Sequence, residues 1–376
     1  MKIGLALSND WELFGDGSGD YYNIQHKPLQ ELLTAAKSYD ARISVMAEYC
    51  QQQAFKELGK DQQKWAGDIA NSWEQILINT IQQGHDVQLH IHPQWLNARY
   101  KQDKWILDYS KWAFSSLNTG EMIEVLTKGK HYLETLLGPA DKNYECIIFR
   151  AGAYCIQPSK QAIESLLACG FKGDTSVTRG MTDPVFYNYD QAYSNVVPWL
   201  CSEDVRYYSD NQGKALVEIP ICSYQARDYP VIRRLVSRRL ACFLSFGIWE
   251  DKHDLAWHYA NEQYINKIYP NPAMKNKQGS KQKLILWRSK LIKSRYFQLD
   301  YDNLSPKTFV RIIQQIVESL EAKEWLKTHE FIPVLASGHT KTMHSVDNIE
   351  RILYELNRAF REHLSYIKIR DICTMV

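Results

Sequence analysis

Four short segments of the chain carry side chains whose types and spacing suit hydrolytic chemistry: SNDWE, LHIHPQW, FRAGAY and SGHTK. They supply Asp10 and Glu12, His90 and His92, Arg150, and His339. Each follows an apolar run that reads as a strand, so the titratable groups fall at carboxyl ends, where β/α barrels place their sites. Residues two apart on a strand point to the same face. Asp10 with Glu12, and His90 with His92, can therefore aim two pairs of ligands into one mouth. Imidazoles and carboxylates converging there make a divalent-metal site, with zinc the first candidate. Asp174, at the end of a fifth strand, adds a further carboxylate. Taken singly, an HxH could be a hydrogen-bonded core pair and a DxE only a cap. Charged groups at five strand ends are costly to bury for packing alone, and a shared polar cleft accounts for them.

The elements that must hold these residues alternate short apolar runs with amphipathic stretches, the pattern of β/α architecture. Strands are expected at 2–8, 41–48, 86–92, 145–151, 170–176, 216–222 and 331–337, with an eighth at 366–372. Helical segments between them include PLQELLTAAKS, SWEQILINTIQQ, SKQAIESLLAC and SVDNIERILYELNRAFREHL. Seven or eight strands separated by helices predict a closed or nearly closed parallel barrel. Residues 96–140 are expected to add an extra helix, and 225–305 a long helical insertion. The whole of 1–376 reads as one catalytic domain.

Composition sets bounds on this reading. Hydrophobic residues at 45% and charged residues at 23% are globular values. No apolar run approaches the roughly 18 residues of a membrane span, and IGLAL meets polar residues too early for a signal peptide. The expected location is the cytoplasm. Eight scattered cysteines without CxxC spacing suggest free, structural thiols. Between Arg227 and Asp300 there are 15 Lys/Arg against 6 Asp/Glu, a net +9 in a chain whose total is +2. That excess, with the pairs Arg233–Arg234 and Arg238–Arg239, suggests an anionic partner such as an anionic lipid, to which the family resemblance below adds a lipid-linked saccharide at the inner face of a membrane. A solvated helical surface is the plainer reading, and no nucleic-acid partner is expected.

The order of motifs resembles the NodB-homology polysaccharide deacetylases, carbohydrate esterases of the family-4 kind. LALSNDWE, GHDVQLHIHPQW, FRAGAYCIQPSKQAIESLLACGFKGDTSV, LVEIPIC and LASGHTK follow that family's motifs from Asp10 to His339. It is most similar to the divergent branch associated with bacterial surface-polysaccharide biosynthesis. The resemblance implies an irregular (β/α)7-8 barrel, a divalent metal and removal of acetyl groups from an N- or O-acetylated sugar. It further implies that Asp10 is the general base, that Arg150 holds it, and that His339 is the general acid with Asp174 behind it. His90 matches the first metal-binding histidine. Trp11 stands where the family has a second aspartate, and Gln94 where it has a second histidine, so Glu12 and His92 take the ligand roles. Trp95 and Tyr154 are candidates for stacking on sugar rings, while His85 reads as a turn residue. A glycosidase reading fits poorly, because its carboxylates stand roughly 5–10 Å apart across the bond. The alternative is a metal-free barrel that binds saccharide without hydrolysing it.

Overall fold

In the computed structural model, residues 2–61, 63–211, 213, 215–228, 237–268 and 293–376 are described. Strands β1 (Lys2–Trp11), β2 (Ile43–Glu48), β3 (Asp86–Ile91), β6 (Ile148–Ala151), β7 (Gly173–Asp174), β10 (Trp199–Cys201), β11 (Leu216–Glu218), β14 (Phe331–Ala336) and β15 (Leu364–Ile367) form the main sheet. Three small antiparallel pairs stand apart: β4 (Arg99–Lys101) with β5 (Lys104–Ile106), β8 (Thr182–Asp183) with β9 (Tyr187–Asn188), and β12 (Ser223–Asp228) with β13 (Lys293–Gln298). The main sheet runs β10-β11-β7-β6-β3-β2-β1-β14, and β15 pairs with the first half of β1. All its pairings are parallel except β10 with β11.

The architecture is mixed α/β with a curled sheet; of the expected irregular (β/α)7-8 barrel, closed or nearly closed, it is the closure that is missing. No ladder joins β14 to the β10–β11 end among the described residues. A backbone bond crosses the gap at the mouth, from Cys222 N–H to the Leu335 carbonyl at 2.9 Å, while Ile221 N–H donates to the Val177 carbonyl on the β7 side, also at 2.9 Å. The cause is the brevity of β7 and β11, two and three residues, after which the chain leaves the sheet along β12.

Apolar alternation explains the two core layers. Ala6, Met46, Ile148, Val217, Ile219, Ile221 and Leu335 fill the concave side, with Ile369 and Ile372 closing its base. Burying each Ile or Leu stabilises by roughly 1.5–3 kcal/mol. The opposite face packs under helices whose apolar spacing matches 3.6 residues per turn. Ile349, Ile352, Leu353 and Leu356 of the helix Asp347–Phe360 are one such stripe. The helix Thr119–Leu137 starts at a capping box, in which Asn118 accepts from Glu121 N–H and Glu121 accepts from Asn118 N–H. That helix is the ordinary crossover from β3 to β6. The interval 96–140 adds the hairpin β4–β5 to it, not the extra helix expected there. Trp11 faces this outer core, stacked 5.4 Å from Trp73 and donating to the Gln25 carbonyl. It therefore turns away from the side that Asp10 and Glu12 share.

The insertion leaves on β12 and returns on β13, in register from Ser223 with Gln298 to Asp228 with Lys293. It carries the helices Arg238–Phe246 and Lys252–Ile268. Arg233 and Arg234, like residues 269–292, lie outside the described residues. Arg238 is engaged internally, 2.8 Å from His258 Nδ1, and Arg239 lies over the Trp249 ring. All eight cysteines are free. Among the described residues no helix is long and apolar enough to cross a membrane.

Candidate active site

Parallel pairing sets the site in rows. Glu48, His90 and Arg150 are direct neighbours on β2, β3 and β6. Below them Phe149 neighbours Asp174, which neighbours Glu218. On the other side the β1–β14 ladder continues past Ala336: Asp10 N–H donates to the Gly338 carbonyl at 2.9 Å, and Asp10 bridges to His339. Gly338 has to be glycine, because a Cβ there would lie 2.2 Å from the Tyr301 ring.

Glu12, His90 and His92 come together, all buried, with ligand atoms within 4.8 Å of one another. The tautomer of His90 is fixed. Its Nδ1 donates to the Arg150 carbonyl at 2.9 Å, and a carbonyl can only accept. Its Nε2 lone pair therefore faces Glu12 Oε2 at 3.2 Å, two electron-rich atoms that call for a cation or a second proton between them. His92 Nε2 touches the same oxygen yet is a buried nitrogen without a hydrogen-bond partner. Its Nδ1 lies 2.9 Å from the Gln94 amide, whose Oε1 is likewise buried and unpartnered. Amide oxygen and nitrogen are distinguished only by their partners. With Oε1 turned to Nδ1–H, the amide oxygen gains its donor and the Nε2 lone pair is left for a metal. Histidine ligands commonly donate their other N–H to a carbonyl in this way. Two imidazoles and one carboxylate also match the donor set of catalytic zinc sites, which leave a fourth position open. The residues present fit a divalent cation.

Backbone geometry supports the cluster. Glu48 Oε1 accepts from His92 N–H at 2.9 Å and from Cys50 N–H at 3.1 Å, while its other oxygen accepts from Gln51 N–H. One buried carboxylate thus caps a helix and fixes the His92 main chain; burial pushes it up to about 7. The His92 ring packs on Gly152, where a Cβ would lie 2.6 Å away.

Beside this cluster Asp10 sits between two cations. Arg150 Nη1 holds its Oδ1, and His339 Nε2 stands 3.4 Å from its Oδ2. Arg150 is itself fully buried, with Nε on the Thr175 carbonyl at 3.0 Å and Nη2 on Ser8 Oγ at 3.0 Å. Burial alone would raise the Asp10 pKa, but Arg150 and His339 hold the carboxyl far below the usual range. Burial would likewise lower His339, but the hydrogen bond and charge of Asp10 raise it.

Two expected placements are corrected. Asp174 does not lie behind His339. It accepts from Ser176 Oγ at 2.9 Å and pairs with Glu218, which burial and Asp174 push well above the carboxylate range. Behind Asp10, the nearer and stronger partner, Asp302 is the second carboxylate whose charge acts on His339. Asp300, Asp302 and His339 have ligand atoms within 4.8 Å of one another. Trp95 is 3% exposed and packed edge-on against Trp105, so it is a core residue and not a sugar platform. The Tyr154 hydroxyl accepts from Gln298 at 3.1 Å, and the charges of Asp10 and Arg150 act on it. His85 accepts from Ile43 N–H through Nδ1 at 3.1 Å and stays structural, pushed down to about 4 by burial.

Lys341, Glu48, Asp302 and Glu218 were not singled out from the sequence. The Lys341 ammonium contacts Glu12 Oε1, the oxygen turned away from the histidines. Its spacing from His339, two residues, is the same signal that marked Asp10 and Glu12. A cleft of about 1060 Å³, lined in part by Gln298, Asp300, Asn303, Arg238 and His258, adjoins this corner between sheet and insertion.

No protein-family model and no curated protein sequence matches the chain. Solved structures with a similar chain path include a Mycobacterium smegmatis protein assigned as a polysaccharide deacetylase, at 11% identity and TM-score 0.45, covering 100% of this chain and 91% of that one. They also include the allantoinase PuuE, at 10% and 0.45, covering 99% and 89%. A third is the GH57 branching enzyme TK1436 of Thermococcus kodakaraensis, at 10% and 0.46, covering 100% and 71%. Likeness at this level is one of chain path.

Proposed function

We propose that the chain is a metal-dependent hydrolase that removes acetyl groups from an acetylated saccharide, as its motif order suggests. The observation that carries the reading is the adjacency of two units. One is a carboxylate–imidazole pair, Asp10 and His339. The other is the buried Glu12–His90–His92 cluster, whose ligand atoms lie within 4.8 Å of one another.

The electrostatics support the residue roles that the motif order suggests. Asp10 stays ionised at every working pH, held by Arg150 and His339. So acidic a carboxylate takes a proton efficiently only from a water that is itself acidified, which is the chemistry a divalent cation supplies, along with polarisation of the acyl carbonyl. His339, raised by Asp10, is positioned to protonate the leaving amine or alkoxide. Arg150 keeps Asp10 oriented. Tyr154 and the adjoining cleft offer room and polar partners for a sugar.

One observation favours the metal-free, saccharide-binding alternative: Lys341 already places a positive charge on Glu12. Metal analysis of freshly purified protein, with acetate release from N-acetylated chito-oligosaccharides and O-acetylated xylan, separates the two. The hydrolase reading expects about one bound divalent ion per chain and chelator-sensitive acetate release. Protein that stays metal-free with zinc, cobalt and manganese, and releases no acetate, refutes it.

A further inference from the structure

Glu12 is held from both sides. Its Oε2 faces His90 and His92, and its Oε1 takes the Lys341 ammonium. The lysine reaches inward from the single turn Thr340–Thr342, passes within 5.9 Å of the Phe14 ring centroid, and keeps 14% of its side chain exposed. The neighbouring guanidinium, Arg150, is committed to Asp10, Ser8 and Thr175. Glu12 is the one carboxylate of that ligand set, and the Lys341 ammonium pairs with its charge. A dication entering the site would meet a ligand set already neutralised, with a like charge on the far oxygen of its only carboxylate.

We propose that Lys341 is a tethered counter-cation that competes with the metal ion for Glu12. It keeps that buried carboxylate paired while no ion is bound, and it weakens the ion's hold so that the metal stays exchangeable. This rests on the metal-binding reading above. An organising lysine, one that merely orients Glu12 for the ion, would act with the opposite sign: its removal would weaken binding. Competition requires that removal strengthen it.

The experiment is a Zn²⁺ titration of the chelator-stripped full chain against a competing indicator, for wild type, Lys341→Gln and Lys341→Arg. Loss of a like charge a few ångströms from the ion should tighten Zn²⁺ binding at least about tenfold in Lys341→Gln, with Lys341→Arg near wild type. Binding by Lys341→Gln alone would support the same conclusion. Equal or weaker binding by Lys341→Gln, with wild type binding normally, overturns the competition and leaves the metal reading standing. No binding by any of the three overturns both. Lys341→Gln can fold poorly, because Glu12 loses its counter-ion, so wild type supplies a second measurement. Acetic anhydride labelling read by mass spectrometry should rise at Lys341 when Zn²⁺ is added. Unchanged or reduced labelling contradicts competition.

Discussion

Replacing Arg150 by Met removes the cation that pairs with Asp10 while keeping much of the buried volume. Lost with it are the bonds to the Thr175 carbonyl, at 3.0 Å, and to Ser8 Oγ, at 3.0 Å. The larger effect is on Asp10, 3% exposed, which keeps only His339 at 3.4 Å as a partner. Breaking a buried pair from one side costs roughly 3–5 kcal/mol, because it strands a charge. The sign of the pH dependence follows. In wild type the Asp10 pKa lies below the unfolded value of about 3.9, so its stabilisation is present above that pH and is lost as pH falls toward the folded value. Without Arg150, burial dominates and pushes the folded pKa up. Asp10 then opposes folding at neutral pH, and the deficit shrinks as the medium is acidified toward pH 4. Urea denaturation at pH 7 and pH 4.5 measures both deficits. Adding Asp10→Asn to Arg150→Met should recover a substantial part of the loss at pH 7, since the stranded charge is gone. A cost under about 1 kcal/mol, an equal cost at both pH values, or a further loss in the double variant would refute the reasoning.

Other expectations follow from the same geometry. His90→Ala and His92→Ala should each lower bound metal sharply by elemental analysis, and full occupancy in both would show that the ion sits elsewhere. His339→Ala should cut kcat by about 10²–10⁴-fold with metal content unchanged; loss of metal would make His339 a ligand instead. Since Asp10 holds His339 above the usual imidazole value, its proton is present at lower pH and lost as pH rises through the raised pKa, giving an alkaline limb. Asp302→Asn should shift that limb to lower pH and Asp174→Asn should leave it in place, as read from kcat against pH. Glu218 is held neutral by burial beside Asp174, so Glu218→Gln should change stability by less than about 1 kcal/mol in the same urea assay, whereas an ionised Glu218 would make the change large.

What the sequence disclosed and what it hid divides along strand and turn. Along the strands and one residue past their ends, parity alone put Asp10 with Glu12 and His90 with His92, and Trp11 is turned the other way. Neighbourhood across the sheet is not a property of parity. That His90 lies beside Arg150 depends on the order β2-β3-β6, and Asp174 was placed behind His339 through motif order alone. In the ladder, β7 lies several strands from β14, whereas Asp302 arrives from the loop after β13, at the return of the insertion. Further into the turns parity fails. Trp95 belongs to the turn Pro93–Trp95, which folds its ring under onto Trp105. Lys341 lies in the turn Thr340–Thr342, two residues past His339, yet its ammonium meets Glu12 and not the Asp10 that His339 faces. The closed barrel failed for a related reason: a strand of two residues can hold Asp174 in register but cannot carry a ladder around the circumference. Ligand types were therefore readable from strand alternation, whereas the charges that set their protonation and their hold on a cation come from turns and from register, which no short-range pattern encodes.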